Sequence, residues 1–230
     1  MSIFIILGGM TFSSFDGLQN TIKMNEYMLN LEQDIRSVQR SAMLLQRDPN
    51  EKWLYGLGID FSDMGEDGVY TVFKWCSPYD DYGDIATKSD LPAYIGGTLN
   101  ENNGKLPLTV DGTIPLSSTC DSGIVDIPLG GLRTQAGYDR TITLPKSQIS
   151  FEDENGVPTV SRYVIFESVS GRAFLYDGNG SIVNYTPEGN LLEDTDTIES
   201  FNLVITPLGK GSTRKLSVRP LSGKIDTYIY

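Results

Sequence analysis

The chain has 230 residues, enough for one good-sized core or two small ones, and 39% hydrophobic with 10% aromatic residues is a folding composition. Its formal net charge is −12, from 18 Lys+Arg against 30 Asp+Glu, and it contains no histidine. An acidic surface repels phosphate backbones, so nucleic acid is disfavoured as a partner. Without histidine there is no Ser/His or Cys/His nucleophile system, no imidazole metal ligand and no histidine general base.

The charge is unevenly placed. In residues 1–47, Lys23, Arg36, Arg40 and Arg47 balance Asp16, Glu26, Glu32 and Asp34, so the whole acidic excess lies in residues 48–230. The chain opens Met-Ser-Ile-Phe-Ile-Ile-Leu-Gly-Gly-Met-Thr-Phe, with Ile3, Phe4, Ile6, Leu7, Phe12 and then Phe15 as apolar residues. This stretch is shorter than the ~20 apolar residues that span a bilayer, and it lacks the cationic start and small-residue cleavage site of a secretory signal. It reads as the last turns of a membrane anchor whose beginning is missing; the competing reading is an ordinary buried strand or helix start. Glycines are tolerated in membrane helices, so Gly8 and Gly9 are compatible with the anchor.

From about Asp16 to Arg47 the residues predict one long helix, with Asp16 a candidate N-cap if the helix breaks there. No Gly or Pro occurs between Leu18 and Asp48, and Pro49 ends the pattern. Some 32 residues would run ~48 Å, long for a globular helix. Met24, Met28, Leu31, Ile35, Val38, Ala42 and Leu45 follow steps of four and three, a heptad-like stripe. That stripe can pack on the chain's own sheet, on a partner helix, or on both at different depths. Glu32 and Arg36 add an i,i+4 pair.

After Pro49 the apolar period shortens to two. Alternation predicts strands at residues 57–61 and 69–75, with turn chemistry at 62–68. Residues 77–123 are rich in Gly, Asn, Asp, Ser and Pro, and read as an irregular insertion with one small hairpin. Strands are expected again at 124–127, 141–144, 162–169, 173–176, 181–185, 198–206, 215–219 and 224–230, with tight turns at Ser170-Gly171 and Asp177-Gly-Asn-Gly180. Glu152-Asp-Glu-Asn-Gly156 is turn chemistry as well. Successive strands joined by turns predict antiparallel pairing against the C-terminal half of the helix. The fold class is therefore α+β: a helical region at 1–47 and an acidic β-rich head at 48–230.

Cys76 and Cys120 flank the insertion. In an exported chain they form a candidate disulfide, worth roughly 3–4 kcal/mol for a loop of that length; the alternative is two buried thiols. Asp80, Asp81 and Asp84 are a weak calcium candidate, without EF-hand spacing and better explained as a solvated turn. Lys210, Arg214, Lys215 and Arg219 form the single basic cluster, read as cations guarding an edge strand. No nucleophile elbow, phosphate-cradling loop or zinc-like cysteine spacing occurs, so no cofactor, resident metal or catalytic role is expected.

Helix first, turn-rich middle and antiparallel strands last is the layout of type IV pilins and of the pseudopilins of type II secretion. The segment Leu31-Glu-Gln-Asp-Ile-Arg-Ser-Val-Gln-Arg-Ser-Ala42 resembles the stretch where a minor pseudopilin's anchor helix enters its head. Tyr55-Gly-Leu-Gly-Ile-Asp-Phe61 resembles the first head strand, and Lys215-Leu-Ser-Val-Arg-Pro-Leu-Ser-Gly-Lys-Ile225 the closing hairpin. The resemblance covers residues 1–62 and 198–230. The chain departs from it in having no Gly-Phe-type leader site and no early glutamate, its first acid being Asp16, which points to a trimmed or misplaced start or a divergent relative.

The resemblance implies a subunit held in the inner membrane by its apolar helix, then polymerised with other pilin-like subunits into an extracellular or periplasm-spanning filament. Ile3, Phe4, Ile6, Leu7, Phe12, Phe15, Met24, Met28 and Leu31 would then meet other subunits, while Ile35, Val38, Ala42 and Leu45 hold the head. The alternatives are a soluble or surface-attached adhesin or carbohydrate-binding module using Tyr79, Tyr82 and Tyr94, and a hydrolase built on carboxylates alone.

Overall fold

The computed structural model describes residues 2–44, 54–62, 64–65, 68, 70–76, 123–127, 144–168, 170–180, 183, 200–209, 211–220 and 222–230, with side chains described from residue 17 onward and not for 54–55, 76 or 123–127. Helix α1 spans Ser2–Met43, 42 residues or about 63 Å at 1.5 Å per residue. It is continuous through Asp16, which is therefore not an N-cap; Thr21 donates its hydroxyl to the Gly17 carbonyl at 2.8 Å inside the run. Its last turn closes where Leu44 N–H meets the Arg40 carbonyl, a few residues short of the expected Arg47. Leu45, in the expected head-packing set, lies outside the described residues.

Nine strands follow: β1 Leu54–Asp60, β2 Thr71–Cys76, β3 Gly123–Ile127, β4 Ser147–Glu152, β5 Ser161–Glu167, β6 Ala173–Asp177, β7 Phe201–Pro207, β8 Arg214–Val218 and β9 Ile225–Ile229. They form two antiparallel sheets where the sequence suggested one. The first has the order β3-β2-β1-β5-β6 and the second β4-β7-β8-β9. Strand β4 was not read from the sequence, and Leu144, expected at a strand end, lies outside any strand. The insertion at 77–122, most of the expected strands at 141–144 and 181–185, Cys120, Asp80, Asp81 and Asp84 fall outside the described residues, as does the Cys76 side chain.

Period-two patterning decides which face of each strand meets the helix. Leu57, Ile59, Val72, Val164, Phe166, Ala173 and Leu175 of the first sheet and Phe201, Leu203, Ile205, Leu216, Val218 and Ile225 of the second share one core with α1. The helix contacts β1 and β5 on one side and β8 and β9 on the other. Stacking of Phe61 on Phe201 (5.7 Å between centroids) and of Phe201 on Phe151 (5.5 Å) joins the two sheets through aromatic rings.

The first sheet is apolar on both faces. Away from the helix, Phe73, Trp75, Tyr163, Ile165, Phe174 and Tyr176 are buried, with edge-on ring pairs Phe73–Tyr163 at 6.2 Å and Trp75–Tyr176 at 6.0 Å. Glycines on the central strand make room for this layer. Gly58 stands opposite Phe73 in the β1–β2 register, and a Cβ at Gly58 would lie 2.2 Å from that ring. An aromatic ring over a strand glycine recovers the packing that the missing side chain gives up.

Candidate assembly surface

Helix α1 presents four different environments around its axis. Its inner face carries Met24, Met28, Leu31, Ile35, Val38 and Ala42, all buried in the common core. The stripe predicted by the four-and-three spacing is therefore real, but its division is not as predicted. Met24 (1% exposed), Met28 (5%) and Leu31 (0%) had been assigned to contacts between subunits, and the two sheets of the chain's own head enclose them. Both sides of the head reach this part of the helix, Arg214 of β8 meeting Asn25 and the β1–β2 connection meeting Tyr27 through Gly68.

One flank is tied by a row of polar contacts to the second sheet. Asn25 accepts from Arg214 of β8, Glu32 accepts from Thr227 of β9 at 3.0 Å, and Arg36 donates to the Ile225 carbonyl at 2.8 Å while pairing with Glu32. Gln39 finishes the row, donating to the carbonyls of Gly171 and Gly223 at 3.1 and 3.0 Å. Those two glycines sit in the β5–β6 and β8–β9 turns with φ of 68° and 60°, a region that L side chains rarely adopt. The helix thus fastens both turns at once.

The other flank grips the connection between β1 and β2. Tyr27 donates its hydroxyl to the Gly68 carbonyl at 2.7 Å, and Tyr70 donates to the carboxylate of Asp34, itself buried. Burial pushes the Tyr27 hydroxyl well above the usual tyrosine range, which keeps it protonated and a donor. These two buried polar groups of the helix are met by the backbone and a side chain of the β1–β2 connection, so position and orientation of the helix are specified beyond what apolar packing provides.

The outer face is the one the head leaves open. Leu18 is 57% exposed, Ile22 48% and Leu29 55%. At 3.6 residues per turn they fall roughly 140–180° around the axis from Leu31, opposite the core. Their separations of four and seven residues make one stripe, and the spacing extends back in the sequence to Phe15. Residues 18–20 and 22–23 are exposed, and burial by the head begins at Met24. Ser2–Lys23, about 33 Å of helix backbone, lie N-terminal to Met24, the first described side chain that the head buries. Ile229, directly across the ladder from Arg214, is also exposed.

Leu18, Ile22 and Leu29 stand at helical spacing in the sequence, where the longer inner stripe alone already accounts for an amphipathic helix. Nothing in the local sequence marks Asn25 and Arg214 as a pair, since 189 positions separate them. The backbone of α1 passes through Ile3, Phe4, Ile6, Leu7, Phe12 and Phe15, whose side chains lie outside the described set. Among the described residues no group of acids and cysteines is arranged to hold a metal, and no helix is long and apolar enough to cross a membrane.

The chain has no significant match to any protein-family model, to any curated protein or to any solved structure.

Proposed function

We propose that the chain is a structural subunit of a type IV pilus-like filament, assembling through helix–helix contacts along the outer face of α1. One observation carries the reading: a 42-residue helix whose inner face is spent on its own head presents a separate apolar stripe on the opposite face. An amphipathic helix that served only its own domain would be polar there. Exposed leucine and isoleucine at heptad-like spacing suit a neighbouring helix, which buries them at roughly 25 cal/mol per Å². The charge distribution agrees, because a helical region of zero net charge packs centrally with little repulsion. The head's excess of acid keeps the outside of such a polymer soluble. Pilin resemblance supplies the remainder of the proposal, in which the uncharged residues 1–15 hold the subunit at the inner membrane before assembly.

Substituting Leu18, Ile22 and Leu29 together with glutamine tests this. Surface positions of this kind shift stability by about 0.5 kcal/mol or less apiece, so the thermal transition should be nearly unchanged. Sedimentation velocity on the full chain should show the parent associating with rising concentration and the triple variant remaining monomeric. A variant that associates like the parent would refute the assembly role of this face.

A further inference from the structure

The open face of α1 does not stop at Leu29. Leu18, Ile22, Glu26, Leu29, Gln33, Arg36 and Arg40 are all exposed and follow steps of three and four. At 3.6 residues per turn they occupy a strip roughly 80° wide, opposite the buried stripe.

This strip changes character along its length. Its N-terminal half carries the three apolar residues and one acid, Glu26; its C-terminal half carries the cations Arg36 and Arg40. Arg36 is committed within the chain, pairing with Glu32 and donating to the Ile225 carbonyl, each at 2.8 Å. Among the described residues neither Glu26 nor Arg40 has an ion-pair or side-chain hydrogen-bond partner. Arg40 has no acid one turn away on its own helix, where Arg36, Ser37, Met43 and Leu44 stand. Lys23 precedes Glu26 by three positions but lies about 60° further around the axis, off the strip.

Two exposed charges of opposite sign thus share one line of one face, separated by fourteen positions or about 21 Å. A single rigid helix cannot bring them together, whereas a second copy shifted along it can.

We propose that Glu26 of one copy pairs with Arg40 of the next, between parallel helices staggered by about 21 Å. The inference rests on the filament reading and gives it a register. Fourteen positions are two heptads, so the spacing stays in phase under this shift. Ile22 then comes beside Arg36 of the next copy, whose aliphatic stem offers it an apolar contact. Met43, about 60° around the axis from Arg40, stays at the rim. A second copy is favoured over other occupants because this face supplies both signs of charge, while the acidic heads repel one another and remain outside. The contact is heterologous, one part of a subunit meeting a different part of the next, and such contacts propagate into open polymers. Charge pairing fixes one position along an apolar stripe that by itself would let helices slide.

Charge reversal in the full chain tests the pair by sedimentation velocity. Glu26→Arg should weaken self-association about tenfold or more, because two cations then face each other. Arg40→Glu should do the same, with a slightly lower thermal transition, since it also places an acid in the last turn of the helix. Combined in one chain the reversals exchange the two charges and should restore association to within about threefold of the parent. A folding defect would not be rescued in this way. Losses that simply add, or a Glu26→Arg chain that associates like the parent, would overturn the pairing. So would association that stops at a dimer, because antiparallel helices can join Glu26 to Arg40 twice around a two-fold axis. The glutamine triple at Leu18, Ile22 and Leu29 separates the two levels. Should it leave the chain monomeric while Glu26→Arg has no effect, the filament reading stands and the register falls; should the triple too associate like the parent, both fall.

Discussion

A chain carrying Met24→Glu and Met28→Glu is expected to lose its folded head, with no cooperative thermal transition at pH 7. Both methionines are almost fully enclosed between α1 and the two sheets, at 1% and 5% exposure. Glutamate there must either remain ionised out of water or take up a proton, and each route costs several kcal/mol per site. Two such sites consume most or all of the 5–15 kcal/mol by which a domain of this size is stable. The mechanism has a signature, since at low pH the new carboxyls are neutral and part of the transition should return. Leucine at the same positions is the control, and should cost less than about 1.5 kcal/mol per site because volume and polarity are nearly kept. A double-glutamate chain that melts within a few degrees of the parent would show that the inner face of the helix does not hold the head.

The second large effect is expected at Gly58, on the central strand of the first sheet. Strand propensity alone favours valine over glycine by up to about 1 kcal/mol. Sterics oppose it: the added Cβ would sit 2.2 Å from Cζ and 2.7 Å from Cε1 and Cε2 of Phe73. That ring cannot swing away at low cost, being fully buried and edge-on to Tyr163. Overpacking of this kind costs typically 1–3 kcal/mol, and β1 is paired on both sides, so its backbone cannot shift without disturbing β2 and β5. Gly58→Val should therefore lower the denaturation midpoint substantially. Phe73→Ala should be destabilising alone, yet combine with Gly58→Val at less than the sum of the two. Strictly additive losses would mean that ring and glycine are not in contact.

Parts of this arrangement were legible in the sequence for definite physical reasons. The inner stripe of α1 and the strands around residues 57–61, 162–169 and 201–206 are long enough for their periods to register. Strand β4 escaped because Ile149 and Phe151 are its only large apolar residues, among Ser and Gln, and its partner β7 lies some 55 positions away in register. With β4 unread, the second sheet was not legible as a separate layer. Assignment of Met24, Met28 and Leu31 to contacts between subunits came from the pilin resemblance, which gives the N-terminal part of a long helix to its neighbours, and burial in the chain's own head is what overrides it. Continuity of the helix through Gly8, Gly9 and Gly17 agrees with only one of the two readings of the opening stretch, which stayed open because glycine's weak helix propensity argues locally against it. The polar flanks depend on contacts across most of the chain, Arg36 reaching Ile225 and Gln39 reaching Gly223, and no local pattern encodes them.

A helix with one face given to its head and the opposite face given to neighbouring copies can be tested on the unmodified chain by hydroxyl-radical footprinting read by mass spectrometry. The chain is oxidised at a dilution where it is monomeric and again at a concentration where it associates. Leu18, Ile22 and Leu29 should be oxidised in the dilute sample and protected in the concentrated one. Met24 and Met28 should resist in both, and Met43, exposed at the far end of α1, should react in both. Equal oxidation of Leu18, Ile22 and Leu29 in monomer and assembly would contradict the outer face as the contact between copies.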